Sequence, residues 1–100
     1  MADVVFAPEA EEQLMGLYRY IAAAASPETA RRFTSAVVDQ CEALSAYPAR
    51  GAPRDDLRPG LRTLAFRGRI TIAYAIEPRE VVILGVFYGG RDLASALGND

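Results

Sequence analysis

The run LRTLAFRGRITIAYAIEPREVVILGVF, Leu61 to Phe87, decides the fold. Its apolar residues alternate at period 2, and turn chemistry interrupts them twice, at Gly68 and at Glu77-Pro78-Arg79-Glu80. That pattern predicts three antiparallel strands: Leu61 to Phe66, Arg69 to Ile76 and Val81 to Phe87. Gly68 supplies the positive φ of a tight turn, and Pro78 suits the second position of a type I turn. In the middle strand Ile70, Ile72, Tyr74 and Ile76 share one face, while Thr71, Ala73 and Ala75 share a small-residue outer face. The last strand is apolar on both faces, which predicts a central place with helices on one side and a partner or tail on the other.

Upstream, the period changes from strand to helix. Val4, Val5 and Phe6 form a short strand, and Pro8 opens a helix with acids in its first turn. Ala10, Leu14, Leu17, Tyr18, Ile21 and Ala25 fall on one face of that helix, with Glu12, Gly16 and Arg19 opposite. Ser26 caps a second helix, with Pro27 and Glu28 behind it, and Ala30, Phe33, Val37, Cys41, Leu44 and Tyr47 keep the helical period until Pro48 stops it. Two helices joined at Ser26-Pro27 make an antiparallel hairpin. The fold class is therefore α+β: an N-terminal strand, a helical hairpin and a three-stranded meander, in a single domain over residues 1–100. The segment from Pro48 to Gly60 reads as an exposed loop. After it, only the stretch from Gly89 to Asp100 lacks a clear period, and its Leu93 and Leu97 are candidates to dock over the last strand.

Charge narrows the function. All eleven basic residues are arginine, and histidine is absent. Arginine clamps carboxylates and phosphates well but serves badly as a general base. Net charge is −2, yet it is unevenly spread: residues 1–49 sum to −4, residues 50–69 to +4 and the remainder to −2. Proteins that grip nucleic acid usually carry a strongly basic domain, so sequence-specific binding to DNA or RNA is not expected. Cys41, the one cysteine, allows neither an internal disulfide nor a thiol metal cluster, and on the apolar face it reads as a small core residue. Without an apolar run of about 20 residues after Met1, no membrane role is expected, and the setting reads as cytoplasmic.

Several motifs, taken in order, resemble the ParE branch of the RelE/ParE toxins of type II toxin-antitoxin systems. They are Phe6-Ala7-Pro8-Glu9-Ala10-Glu11-Glu12-Gln13-Leu14, Ser26-Pro27-Glu28-Thr29-Ala30, Tyr47-Pro48-Ala49-Arg50-Gly51, Leu57-Arg58-Pro59-Gly60-Leu61-Arg62, Ile72-Ala73-Tyr74 and Val86-Phe87-Tyr88-Gly89-Gly90-Arg91-Asp92. The resemblance implies the same hairpin-on-sheet fold and two alternative activities. RelE-like members cleave messenger RNA on the ribosome, whereas ParE-like members are associated with poisoning DNA gyrase and perform no chemistry themselves. Cleavage through the 2′-hydroxyl needs a base, an acid and a cation on the phosphorane. Arg62, Arg67 or Arg69 could hold a phosphate and Tyr88 or a glutamate could move a proton, but a good base is missing. Gyrase inhibition is therefore the expected function, with RelE-like cleavage or an inactive toxin-fold binding module as alternatives.

The family also implies a partner, a ParD-like antitoxin whose flexible segment folds onto the toxin in a hetero-oligomer. Its aliphatic anchors would enter an apolar groove between hairpin and sheet near Leu14 and Tyr18, and its acids would meet Arg50, Arg58 and Arg62. Arg67, Arg69, Tyr88 and Arg91 are the candidates for contact with the target. Local roles compete with these: a surface ion pair for Arg62, a turn for Arg58-Pro59-Gly60, a core place for Tyr74. No catalytic residue, metal or organic cofactor is indicated.

Overall fold

The computed structural model describes residues 2–89. Within them, strand β1 (Asp3–Phe6) leads into helix α1 (Pro8–Ala24), and α2 (Pro27–Glu42) returns beside it. Strands β2 (Ala52–Pro53), β3 (Leu61–Phe66), β4 (Ile70–Ile76) and β5 (Glu80–Tyr88) follow. They form one five-stranded sheet in the order β1-β5-β4-β3-β2.

Local chemistry places the boundaries. Pro8 and Pro27 open their helices, and the Ser26 hydroxyl accepts from the Thr29 amide at 3.1 Å, filling one of the donors a helix start leaves free. Of the three residues between β3 and β4, Arg67 and Gly68 have positive φ, 53° and 68°, as the centre of a type I′ turn requires, and the Arg69 amide closes it on the Phe66 carbonyl at 3.2 Å. Arg67 is not a residue that takes this region readily, and its guanidinium lies 4.9 Å from the centre of the Phe66 ring and 5.9 Å from that of Phe33. Cation–π attraction of this kind offsets part of the backbone strain.

The sheet corrects four expectations. Ala52–Pro53, expected in a loop, is a short edge strand paired antiparallel with Arg62 and Thr63; proline is tolerated there because an edge strand has an amide side free of the ladder. The last strand is interior but not central, because β1 pairs with it in parallel, Val4 opposite Val81 and Phe6 opposite Ile83, while β4 takes the middle. The outer face of β4 is not merely small: Ala73 is fully buried in a second cluster with Leu61 and Phe87, flanked by Leu57 and Leu84. Ile76, grouped with the core by alternation, is 44% exposed at the strand end. Leu84 is an extra residue in β5, since Ala73 pairs with Gly85 and Tyr74 with Ile83; such a bulge lets a strand change which side chains face the core.

The main core lies between hairpin and sheet, where Leu17, Val37, Cys41 and Leu44 meet Ile70, Ile72, Tyr74, Val81 and Ile83. Alternation along α2 holds through Leu44 and then fails. The α-helix stops at Glu42, a 3-10 turn carries Ala43–Ser45, and Ser45 is tied to the first strand by a 2.6 Å bond from its hydroxyl to the Ala2 carbonyl. Tyr47, expected to close the buried stripe, is 72% exposed. Ala25, placed on the apolar face of α1, is likewise exposed, at the helix end. The expected docking of Leu93 and Leu97 lies outside the described residues.

Burial pushes the Cys41 thiol up to about 12, with nearby Glu42 adding to the effect. The folded state therefore keeps its proton where the unfolded chain loses it, so stability should fall as pH rises from about 9 toward 12. Replacing Cys41 with alanine should flatten that part of the pH profile. Native protein at pH 8 should resist Ellman's reagent and react only on unfolding.

Candidate functional site

The expected basic patch is two clusters, because β3 separates its halves. Arg62 and Arg67 stand at opposite ends of that strand, roughly 17 Å apart at about 3.3 Å per residue. Arg50, Arg54, Arg58 and Arg62 belong to the first end; Arg67 and Arg69 belong to the β3–β4 turn.

At the first end, the interior reaches out to hold an exposed segment. The hydroxyl of Tyr74, a fully buried residue, donates to the Pro48 carbonyl at 2.7 Å and accepts from the Gly51 amide at 2.7 Å. Arg62 Nη1 donates to the Gly51 carbonyl at 2.5 Å and to the Ala49 carbonyl at 3.1 Å. Arg62, expected to face the antitoxin, braces this segment through its Nη1, which bonds both backbone oxygens. Tyr74 is core, as its alternation indicated, and it is also the second half of that brace. Beyond the brace, Arg54 pairs with Asp56 through two 3.0 Å bonds, which hold that carboxyl below its usual range. Asp55 accepts from the Gly60 amide at 2.8 Å, so Arg58-Pro59-Gly60 is indeed a closed turn. Arg50 and Arg58 remain exposed, with no carboxylate in ion-pair range among the described residues.

The second end gathers Arg67, Arg69 and Tyr88. Tyr88 lies opposite Ile70 and its ring packs on Tyr20 at 5.8 Å, over a pocket of about 220 Å³ shared with Gln13, Gly16, Leu17 and Val86. Gln13 donates nothing to β5; its Oε1 accepts from the Val86 amide at 2.7 Å, where β1 has ended and the strand edge would otherwise be unpaired. Arg91 lies outside the described residues.

Leu14 and Tyr18 sit elsewhere. With Met15, Arg19, Thr34 and Val38 they line an apolar groove of about 540 Å³ formed by α1 and α2, not by hairpin and sheet as expected, because the sheet-facing side of the hairpin is closed by the core. Sequence reasoning missed Tyr47, Tyr20, Met15 and Val38. For Tyr47 a signal existed: the residue before a proline is pushed out of the α region, and Tyr47 stands at φ −133°, ψ 72°.

The profile of the family described as ParE toxin of type II toxin-antitoxin system, parDE, matches residues 4–93. The chain belongs to the ParE toxin family. Its curated relative Toxin ParE3 of Caulobacter vibrioides is 44% identical over 55 residues, which is 55% of this chain and 54% of that protein, so the match spans about half of each. Among solved structures, the ParE-family chain resembles a chain of the chromosomal ParDE toxin-antitoxin system from P. aeruginosa, with a TM-score of 0.79 at 23% identity over 89% of this chain and 97% of the other. It also resembles a chain of the toxin-antitoxin complex RelBE2 from Mycobacterium tuberculosis, with a TM-score of 0.68 at 29% identity over 90% and 93%. The ParE fold is therefore shared with both branches of the superfamily. Among the described residues of this ParE-family chain, no helix is long and apolar enough to cross a membrane.

Proposed function

We propose that this type II toxin acts in the cytoplasm as a protein inhibitor of DNA gyrase and is neutralised by a ParD-like antitoxin in a hetero-oligomer. The match to the ParE family along residues 4–93 carries the reading. The geometry of Arg62 supports it against RNA cleavage. Its Nη1 already donates to the Ala49 and Gly51 carbonyls, so drawing the guanidinium onto a scissile phosphate would loosen the segment that it helps to brace. Inhibition by surface contact needs no base, and it suits a chain without histidine.

The antitoxin is expected to place aliphatic anchors in the α1–α2 groove beside Leu14 and Tyr18 and carboxylates near Arg50 and Arg58. Arg67, Arg69 and Tyr88 remain candidates for target contact, with Arg91 outside the described residues. The test is direct: purified toxin should inhibit gyrase supercoiling or trap cleaved DNA, and added antitoxin should restore turnover. Codon-specific cutting of messenger in a reconstituted translation mix, with gyrase unaffected, would show instead the RelE-like activity.

A further inference from the structure

We infer that Tyr47 and Arg50 form a preorganised docking knob for an acidic protein segment of the antitoxin; this rests on the reading of the chain as a toxin held by such a partner. Four hydrogen bonds tie down the backbone of residues 48–51: the buried Tyr74 hydroxyl donates to Pro48 and accepts from the Gly51 amide, and Arg62 donates twice. The side chains they steady are not core side chains: Ala49 and Arg50 are exposed, and Tyr47 is the most exposed of the described large apolar residues at 72%. The brace therefore stiffens a surface. Stiffening a surface lowers the entropy lost when something binds to it.

The side chains presented there have the chemistry of binding anchors. Tyrosine and arginine are the residues most enriched, with tryptophan, among interface positions that dominate affinity. Around them Ala46, Pro48 and Ala49 line a shallow, mostly apolar concavity of about 720 Å³. The charge of the neighbourhood selects the partner. Arg54 is neutralised by Asp56, but Arg50 and Arg58 have no described carboxylate partner, so the knob asks for acids beside an aliphatic or aromatic contact. A nucleic acid would also supply anions and stacking faces. It is disfavoured because two exposed arginines neutralise few phosphates, and the concavity beside them, lined by Ala46, Pro48 and Ala49, suits an aliphatic side chain.

The experiment uses the full chain and, as probe, the product of the reading frame adjoining its gene, titrated by calorimetry. Tyr47→Ala and Arg50→Ala should each weaken binding at least tenfold, Tyr47→Phe should bind nearly as wild type, and Arg32→Ala, exposed on α2 and facing away from the α1–α2 groove, should change nothing. All four variants should melt within about 3 °C of the wild type, as ordinary surface substitutions do. Wild-type affinity in both alanine variants would overturn the knob and leave the toxin reading intact. No binding by the wild-type chain would overturn that reading, and the knob with it. Binding of a mixed-sequence single-stranded oligonucleotide that is lost in the same two variants would overturn the assignment to a protein partner.

Discussion

Replacing Gly51 by alanine is expected to lower stability by about 3 kcal/mol, the combined effect of overpacking, about 1–3 kcal/mol, and of breaking a buried hydrogen bond, about 1–3 kcal/mol. The new Cβ would lie 2.6 Å from the Tyr74 hydroxyl and 2.8 Å from the Thr63 carbonyl oxygen. Backbone in a paired strand cannot swing aside, and Tyr74 cannot retreat into a filled core. Gly51 must therefore move out, which removes the Tyr74 and Arg62 bonds together. Gly16 is the internal control: a Cβ there meets nothing within 4 Å, so Gly16→Ala should raise stability by nearly 1 kcal/mol through helix propensity alone. Denaturant unfolding of the two variants should move the midpoint in opposite directions. Equal midpoints would show that the segment 48–51 is not locked as described.

The second large effect separates two residues that the helical period treats alike. Leu44 is fully buried, and Leu44→Ala should destabilise by about 2–5 kcal/mol. Tyr47, three positions on, is exposed, and Tyr47→Ala should stay within about 0.5 kcal/mol of wild type. Comparable losses at both positions would mean that Tyr47 packs inward.

Those two residues also mark where reading the sequence stops working. Ser26-Pro27, Gly68 and the turn at Pro78 were legible because each is a contest among a few neighbouring atoms: a cap, a left-handed φ, a fixed φ. The apolar stripes of α2 and β4 were legible as far as the elements kept their period. Tyr47 was lost when the helix gave way to a 3-10 turn and a pre-proline residue, and the inward and outward sides exchanged. Leu84 is a comparable case, since one extra residue in β5 resets its alternation. The parallel pairing of β1 with β5 and the short strand Ala52–Pro53 had no local signal at all, because both depend on residues far along the chain.

Function divided in the same way. The lack of histidine and the run of arginines were visible in composition. That Arg62 points inward to carbonyl oxygens was not, because arginine carries the same donors whether it braces a loop or meets a partner. Leu14 and Tyr18 were found as apolar helix residues; that they line a groove with α2 depends on how the helices pack.

The pairing of the first strand with the last also governs how the protein comes into being. The ribosome releases β1 about 77 residues before its hydrogen-bonding partners, Glu80 to Ile83. The helical hairpin rests on neighbours close in sequence and is free to form while synthesis continues, whereas the sheet edge cannot close until β5 is out. Until then the apolar face that α1 and α2 will lay on the sheet has nothing to cover it. A nascent toxin is thus necessarily incomplete, and its surfaces reach their final arrangement only after translation has passed the last strand.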